Sequence, residues 1–268
     1  MNELALKLAE TIPPHSGAGP DWVGNLRAAG VEQFRQHGLP THKDEAWKYT
    51  RLGALEKSGL QLARTTGAPE KPASCPGPLI DAQTRVDMLD GQMLEQFGEL
   101  PKGLSVLSLA DALNDDIPGL QELLESLPEA RTGGSSSHGF SALNTATLDS
   151  GIVIHVAAGT DAGRLLIRWI SGVHASPSLV NTRVCVIMEE EAKLELIEQF
   201  ANPVANACNS VFQIHLGNGS SLQHIRFQHE SEETVLITRT EVSQQSASEY
   251  AYYGFDLGGG LVRHDLHC

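Results

Sequence analysis

Basic residues are scarce in this chain. Nineteen Lys and Arg stand against 33 Asp and Glu over 268 residues, a formal charge of −14. A surface of that sign does not neutralise phosphates, which excludes nucleic acid and anionic membrane surfaces as main partners. No apolar run approaches the roughly 18 residues of a membrane span. The opening residues, Met1 to Lys7, lack the basic start and apolar block of a secretory signal. Cysteine occurs only at 75, 185, 208 and 268, with no CxxC pair. That excludes a disulfide framework and a zinc site, and it suits a reducing cytosol. No G-x-x-x-x-G-K-S/T phosphate loop is present. Aromatics make up only 5% of the chain, in keeping with a core of aliphatic ladders.

What the chain does contain is a repeat. Val184, Val186, Met188, Leu194 and Ile197 are followed 28 residues later by Phe212, Ile214, Leu216, Leu222 and Ile225. One step further on come Thr240, Val242, Tyr250 and Tyr253. One step earlier, aligned without a gap, come Val156, Ala158, Leu166 and Trp169. Apolar residues alternate within each unit, which is strand spacing, and the bends between are polar or glycine-rich. Units of roughly 20–50 residues that cannot bury their own apolar face must stack. The sequence therefore predicts one coil of a parallel β-helix per 28 residues, against the alternative of a β-sandwich with evenly spaced strands.

Ahead of the repeat, residues 2–10 and 21–37 read as helices, the second with Trp22, Leu26, Val31 and Phe34 along one face and Asp21 as its cap. Leu52–Leu62 reads as a short helical stretch and Thr66–Pro78 as a linker. Residues 85–94 read as a hairpin turning at Asp90-Gly91, residues 104–109 as a strand, and Ile117–Leu127 as a helix closed by Pro128. Arg131–Gly139 reads as a flexible joint. This divides the chain into an N-terminal helical/α+β subdomain, 1–139, and a β-helix core, 140–268.

Several side chains invite a site assignment. Arg263-His264-Asp265-Leu266-His267-Cys268 carries two imidazoles, a carboxylate and a thiol, but strand alternation puts His264 and Cys268 on one face and His267 on the other. His215, His224 and His229 read as solvent-facing strand residues. Cys185 and Cys208 read as small buried or half-buried hydrophobes. Glu189-Glu190-Glu191 reads as a solvated bend, since a step of 28 from Glu190 reaches Asn218 and no second carboxylate. The reading therefore assigns no catalytic, cofactor-binding or metal residue.

Two stretches resemble a known family. Gly38-Leu39-Pro40-Thr41-His42-Lys43-Asp44-Glu45-Ala46-Trp47-Lys48-Tyr49-Thr50 is similar to the N-terminal signature of SufD proteins, of the SufB/SufD family of iron–sulfur cluster assembly. Gly254–Arg263 resembles the glycine-rich stretch within the core of that family. On residues alone, the bland reading of the first stretch is a surface turn pinned by Trp47 and Tyr49. The resemblance implies an N-terminal helical subdomain followed by a right-handed parallel β-helix. It implies a cytoplasmic, non-catalytic scaffold that acts with SufB and the ATPase SufC. No cofactor is expected on this chain alone, and an iron–sulfur cluster belongs to the full complex. SufD-like chains continue beyond the glycine-rich segment, so the β-helix is expected to be incomplete. Its end near Asp256–Leu266 would then be capped by a second copy of the chain or be poorly ordered. The alternatives weighed are a β-helix enzyme acting on carbohydrate and a structural homo-oligomer without chemistry.

Overall fold

A computed structural model of the protein describes residues 3–13, 19–63, 77–127, 138–172, 177–200 and 206–268. Most of the expected linker at 66–78, most of the joint at 131–139, Pro128 and Cys75 lie outside those residues. Two helices open the chain, α1 (Glu3–Thr11) and α2 (Asp21–His37). The buried face of α2 is Val23, Leu26, Gly30, Gln33 and Phe34, so Trp22 and Val31 sit at its margin. Asp21 is the first helical residue and not the cap; Pro20 holds that position without a side-chain bond. Gly30 fixes the rotation of the helix. A Cβ there would stand 2.6 Å from the Ala146 backbone nitrogen, which only glycine avoids.

A short helix α3 (Gly53–Lys57) and a two-residue strand β1 (Gln61–Leu62) replace the single helical stretch expected at 52–62. The hairpin is present as β2 (Thr84–Leu89) and β3 (Gln92–Phe97), with Asp90 and Gly91 both at positive φ, 48° and 83°. That is the two-residue turn whose twist suits antiparallel strands. β4 (Leu104–Ser108) leads into α4 (Leu109–Ala112). α5 (Leu120–Glu125) is shorter than expected because Pro118 and left-handed Gly119 precede it. α6 (Gly139–Ala146) then enters the repeat.

The repeat is a parallel β-solenoid of about four turns. Its strands are β5 (Gly151–Val156), β6 (Asp161–Ile170), β7 (Ser178–Met188), β8 (Lys193–Phe200), β9 (Ala207–Leu216), β10 (Ser221–Gln228), β11 (Val235–Gln244), β12 (Glu249–Asp256) and β13 (Leu261–His267). Odd strands build one sheet, in the order β13-β11-β9-β7-β5-β4, with β1 beside β7. Even strands build the other, in the order β12-β10-β8-β6-β2, closed by β3. The step of 28 holds where it was read most clearly: Val184 pairs with Phe212, Phe212 with Thr240, Leu194 with Leu222 and Leu222 with Tyr250.

The two outer steps differ. Val156 pairs with Met188, 32 residues on, and Trp169 with Phe200, 31 on. A bulge between Asp161 and Arg164 and a longer corner before β7 account for the extra residues. The gap-free alignment of the first unit is therefore four residues out for Val156 and three out for Trp169. The last step, Thr240 to Leu266, is 26.

The polar bends stack on one another through backbone hydrogen bonds: Gly159 N to Glu190 O, Glu191 N to Asn218 O and Gly219 N to Ser246 O. Each bend places one residue in the left-handed region, at Gly159, Glu191, Gly219 and Ala247, with φ of 66°, 56°, 66° and 57°. A side chain there costs roughly 1 kcal/mol or more. Ala247→Gly is accordingly expected to raise stability by up to about 1 kcal/mol, less the entropy glycine adds to the unfolded chain. A denaturant midpoint that falls would contradict this.

Candidate functional site: an ionisable lumen

The inward rows of the even-strand sheet change character from coil to coil. The first row runs Leu165, Leu196, His224, Tyr252; the second Ile167, Glu198, Arg226, Gly254; the third Trp169, Phe200, Gln228, Asp256. The lumen thus starts aliphatic and aromatic and ends ionisable. Its opposite wall stays apolar through Val184, Val186, Ile214 and Val242, turning polar only at Thr238, Thr240 and His264.

These polar groups are inside the protein. Glu198 is 2% exposed, His224 1% and Arg226 2%. A carboxylate so buried needs donors, and Glu198 has two. Trp169 Nε1–H donates to its Oε2 at 2.9 Å, and His224 Nε2 lies 2.7 Å from its Oε1. With Nε2–H held by the carboxylate, neutral His224 presents Nδ1 as an acceptor to the Tyr250 hydroxyl, 2.9 Å away. Arg226 donates from Nη1 to Thr238 Oγ1 at 2.7 Å and from Nη2 to both Asp256 oxygens, at 2.9 and 3.1 Å. Burial pushes the phenols of Tyr250 and Tyr252 up, with the Glu198 charge adding to the effect. Chemically, the row can hold a proton shared among Tyr250, His224 and Glu198 beside an internally neutralised guanidinium.

His264 stacks at 4.8 Å on Tyr252 and hydrogen-bonds Thr240 Oγ1 at 3.0 Å. Burial, then the Arg226 and His224 charges, pull it down to about 3 from an ordinary 6.5. The unfolded chain therefore binds a proton below about 6.5 that the folded chain refuses until about 3, so stability falls as pH drops through that window. His264→Gln is expected to flatten this part of the pH–stability curve. Parallel curves for the two proteins between pH 7 and 4 would contradict it.

Of the residues singled out in the sequence, His224 is the clearest correction: it is buried in the lumen, not solvent-facing. His215 is half-buried and His229 exposed. Cys185 is fully buried beneath α2, α4 and α5, where burial pushes its thiol up to about 12. Cys208 pairs with Val180 and not with Cys185. Glu189 bonds His155 Nε2 at 2.9 Å and the Ala158 amide at 2.8 Å. In the terminal stretch Asp265 is held by Arg263, while His267 and Cys268 are exposed. Among the described residues no three His, Cys, Asp or Glu come together as metal ligands. The lumen itself was legible: a step of 28 sets Arg226 beside Glu198 and Tyr252 beside His224.

The signature stretch also finds its place. Trp47 is 2% exposed, stacks on Phe140 of α6 at 5.4 Å, and has the Arg263 guanidinium 4.1 Å from its ring centre. Thr50 Oγ1 accepts from Arg263 Nη1 at 3.0 Å. Tyr49, in contrast, is 89% exposed and pins nothing, which corrects the expectation for it.

Residues 17–166 match the family of SufBD protein N-terminal regions, and residues 171–268 match the SufBD core domain of SUF-system FeS cluster assembly. The chain belongs to the SufB/SufD family. Curated relatives agree. An iron–sulfur cluster assembly SufBD family protein of Synechocystis is 25% identical over 266 residues, 94% of this chain and 57% of its own length. The chloroplastic protein ABCI7 of Arabidopsis thaliana is 23% identical, over 98% of this chain and 57% of its own length. The iron–sulfur cluster assembly protein SufD of Escherichia coli is 24% identical, over 95% and 60%. The chain thus spans 57–60% of the length of these SufBD relatives. Among the described residues, no helix is long and apolar enough to cross a membrane.

Proposed function

We propose that this chain is a non-catalytic scaffold subunit of a Suf-type iron–sulfur assembly complex, acting in the cytoplasm with SufB-like and SufC-like partners. The observation that carries this reading is the pair of SufBD matches, which run in order along nearly the whole chain. The missing phosphate loop supports it, leaving ATP turnover to the SufC-like subunit. The iron–sulfur cluster is cargo of the assembled complex. A rigid solenoid, each coil hydrogen-bonded to the next, suits a subunit whose task is to hold others in place.

Depleting the protein from its own cells tests the role. Enzymes that need iron–sulfur clusters are expected to lose activity, while cluster-free enzymes of the same cells keep theirs. Unchanged activity of the cluster-dependent enzymes would refute it.

A further inference from the structure

Where the lumen turns ionisable, three buried donors have no acceptor: Arg226 Nε, Gln228 Nε2 and the Tyr252 hydroxyl. An unmet donor in such a place costs as much as a lost hydrogen bond. The three belong to adjoining inward positions. Arg226 and Gln228 are two residues apart on β10, and Gly254 of β12 is the register partner of Arg226. The Tyr252 ring folds back over Gly254, so that a Cβ there would lie 3.0 Å from its hydroxyl. Gln228 closes the side, with Nε2 2.8 Å from where a Cβ on Gly259 would stand.

None of these donors is free to look elsewhere. Gln228 Oε1 accepts from the Gly258 amide at 3.1 Å, which fixes the amide with its NH2 inward. Nη1 and Nη2 of Arg226 are already engaged by Thr238 and Asp256, so Nε–H is the remaining edge of the guanidinium. The Glu198 charge is met by Trp169 and His224, and His264 is neutral. Asp256, which balances Arg226, is 42% exposed and sits at the rim.

We propose that this corner binds a compact monoanion of halide size. Donors alone line it, which selects an acceptor and repels a metal cation. A planar carboxylate wants two parallel N–H groups from one guanidinium, and only a single one is offered. Three donors from separate side chains fit a spherical ion. The site goes beyond the assembly role and does not depend on it.

Chlorine NMR line broadening on the purified chain, chased with bromide, tests the site. The wild type is expected to give excess broadening that saturates and is displaced by bromide. Tyr252→Phe and Gln228→Leu each remove one donor and are expected to weaken binding about tenfold or more. Tyr252→Phe deletes a hydroxyl that bonds nothing, so its melting curve should match the wild type; if it does not fold, Gln228→Leu decides. No saturable broadening in the wild type, or equal broadening in the folded variants, would overturn the proposal and leave only loose association with surface cations.

Discussion

Trp47→Ala is expected to destabilise the protein by about 3–5 kcal/mol, the usual cost of removing a buried indole. For a chain of this length that is a fall of roughly 10 °C or more in melting temperature. The indole is buried between the N-terminal turn and the solenoid, against Phe140 of α6 and Arg263 of β13. Arg263 keeps its bonds to Thr50 and Asp265, so β13 should stay paired but exchange its amide hydrogens faster. Trp47→Phe retains part of the stack and should recover part of the loss. A melting temperature within about 2 °C of the wild type would show that the signature segment does not hold the last coil.

The second large effect is expected at Arg183, which is 1% exposed between the odd-strand sheet and the helices. Its Nε donates to Asn144 Oδ1 at 2.9 Å, its Nη2 to Thr145 Oγ1 at 2.8 Å, and its Nη1 to Gln213 Oε1. Gln213 Nε2 in turn donates to the carbonyl of Leu123 on α5, and Asn144 Nδ2 donates to the Thr182 and Asn209 carbonyls at 2.8 and 3.0 Å. One guanidinium thus joins α6 to two coils, and through Gln213 reaches α5. Arg183→Leu strips three buried acceptors of their donor and should cost about 3–5 kcal/mol. Arg183→Lys carries the charge without the planar fork and should rescue only a fraction. Thermal unfolding followed by circular dichroism reads both. A leucine variant as stable as the wild type would mean that apolar packing alone docks the helices.

The middle of the solenoid was legible because β7, β9 and β11 carry equivalent residues at one spacing, and a solenoid coil cannot change length without moving every row. The entry coil was not, because its bulge and longer corner are tolerated where β5 and β6 pair with the N-terminal strands β4 and β2 on one side. The buried histidine was misread for a related reason. His224 beside Leu222 and Ile225 looks like a polar residue on a half-exposed strand, since its carboxylate partner lies 26 residues earlier on the next coil. Only the register, and not the local pattern, brings Glu198 to it. Trp47 and Asn144 were legible as parts of recognisable stretches. Their work was not, because Arg263 and Arg183, the side chains they meet, lie 216 and 39 residues away.

The central claim is that this chain is a working member of a Suf-type assembly. Tagged chain, co-expressed with SufB-like and SufC-like subunits and purified under anaerobic conditions, tests it directly. The account predicts that the SufB-like subunit is retained in stoichiometric amount and that the purified assembly carries iron and sulfide. Recovery of the chain alone, with neither subunit and no iron, would contradict it.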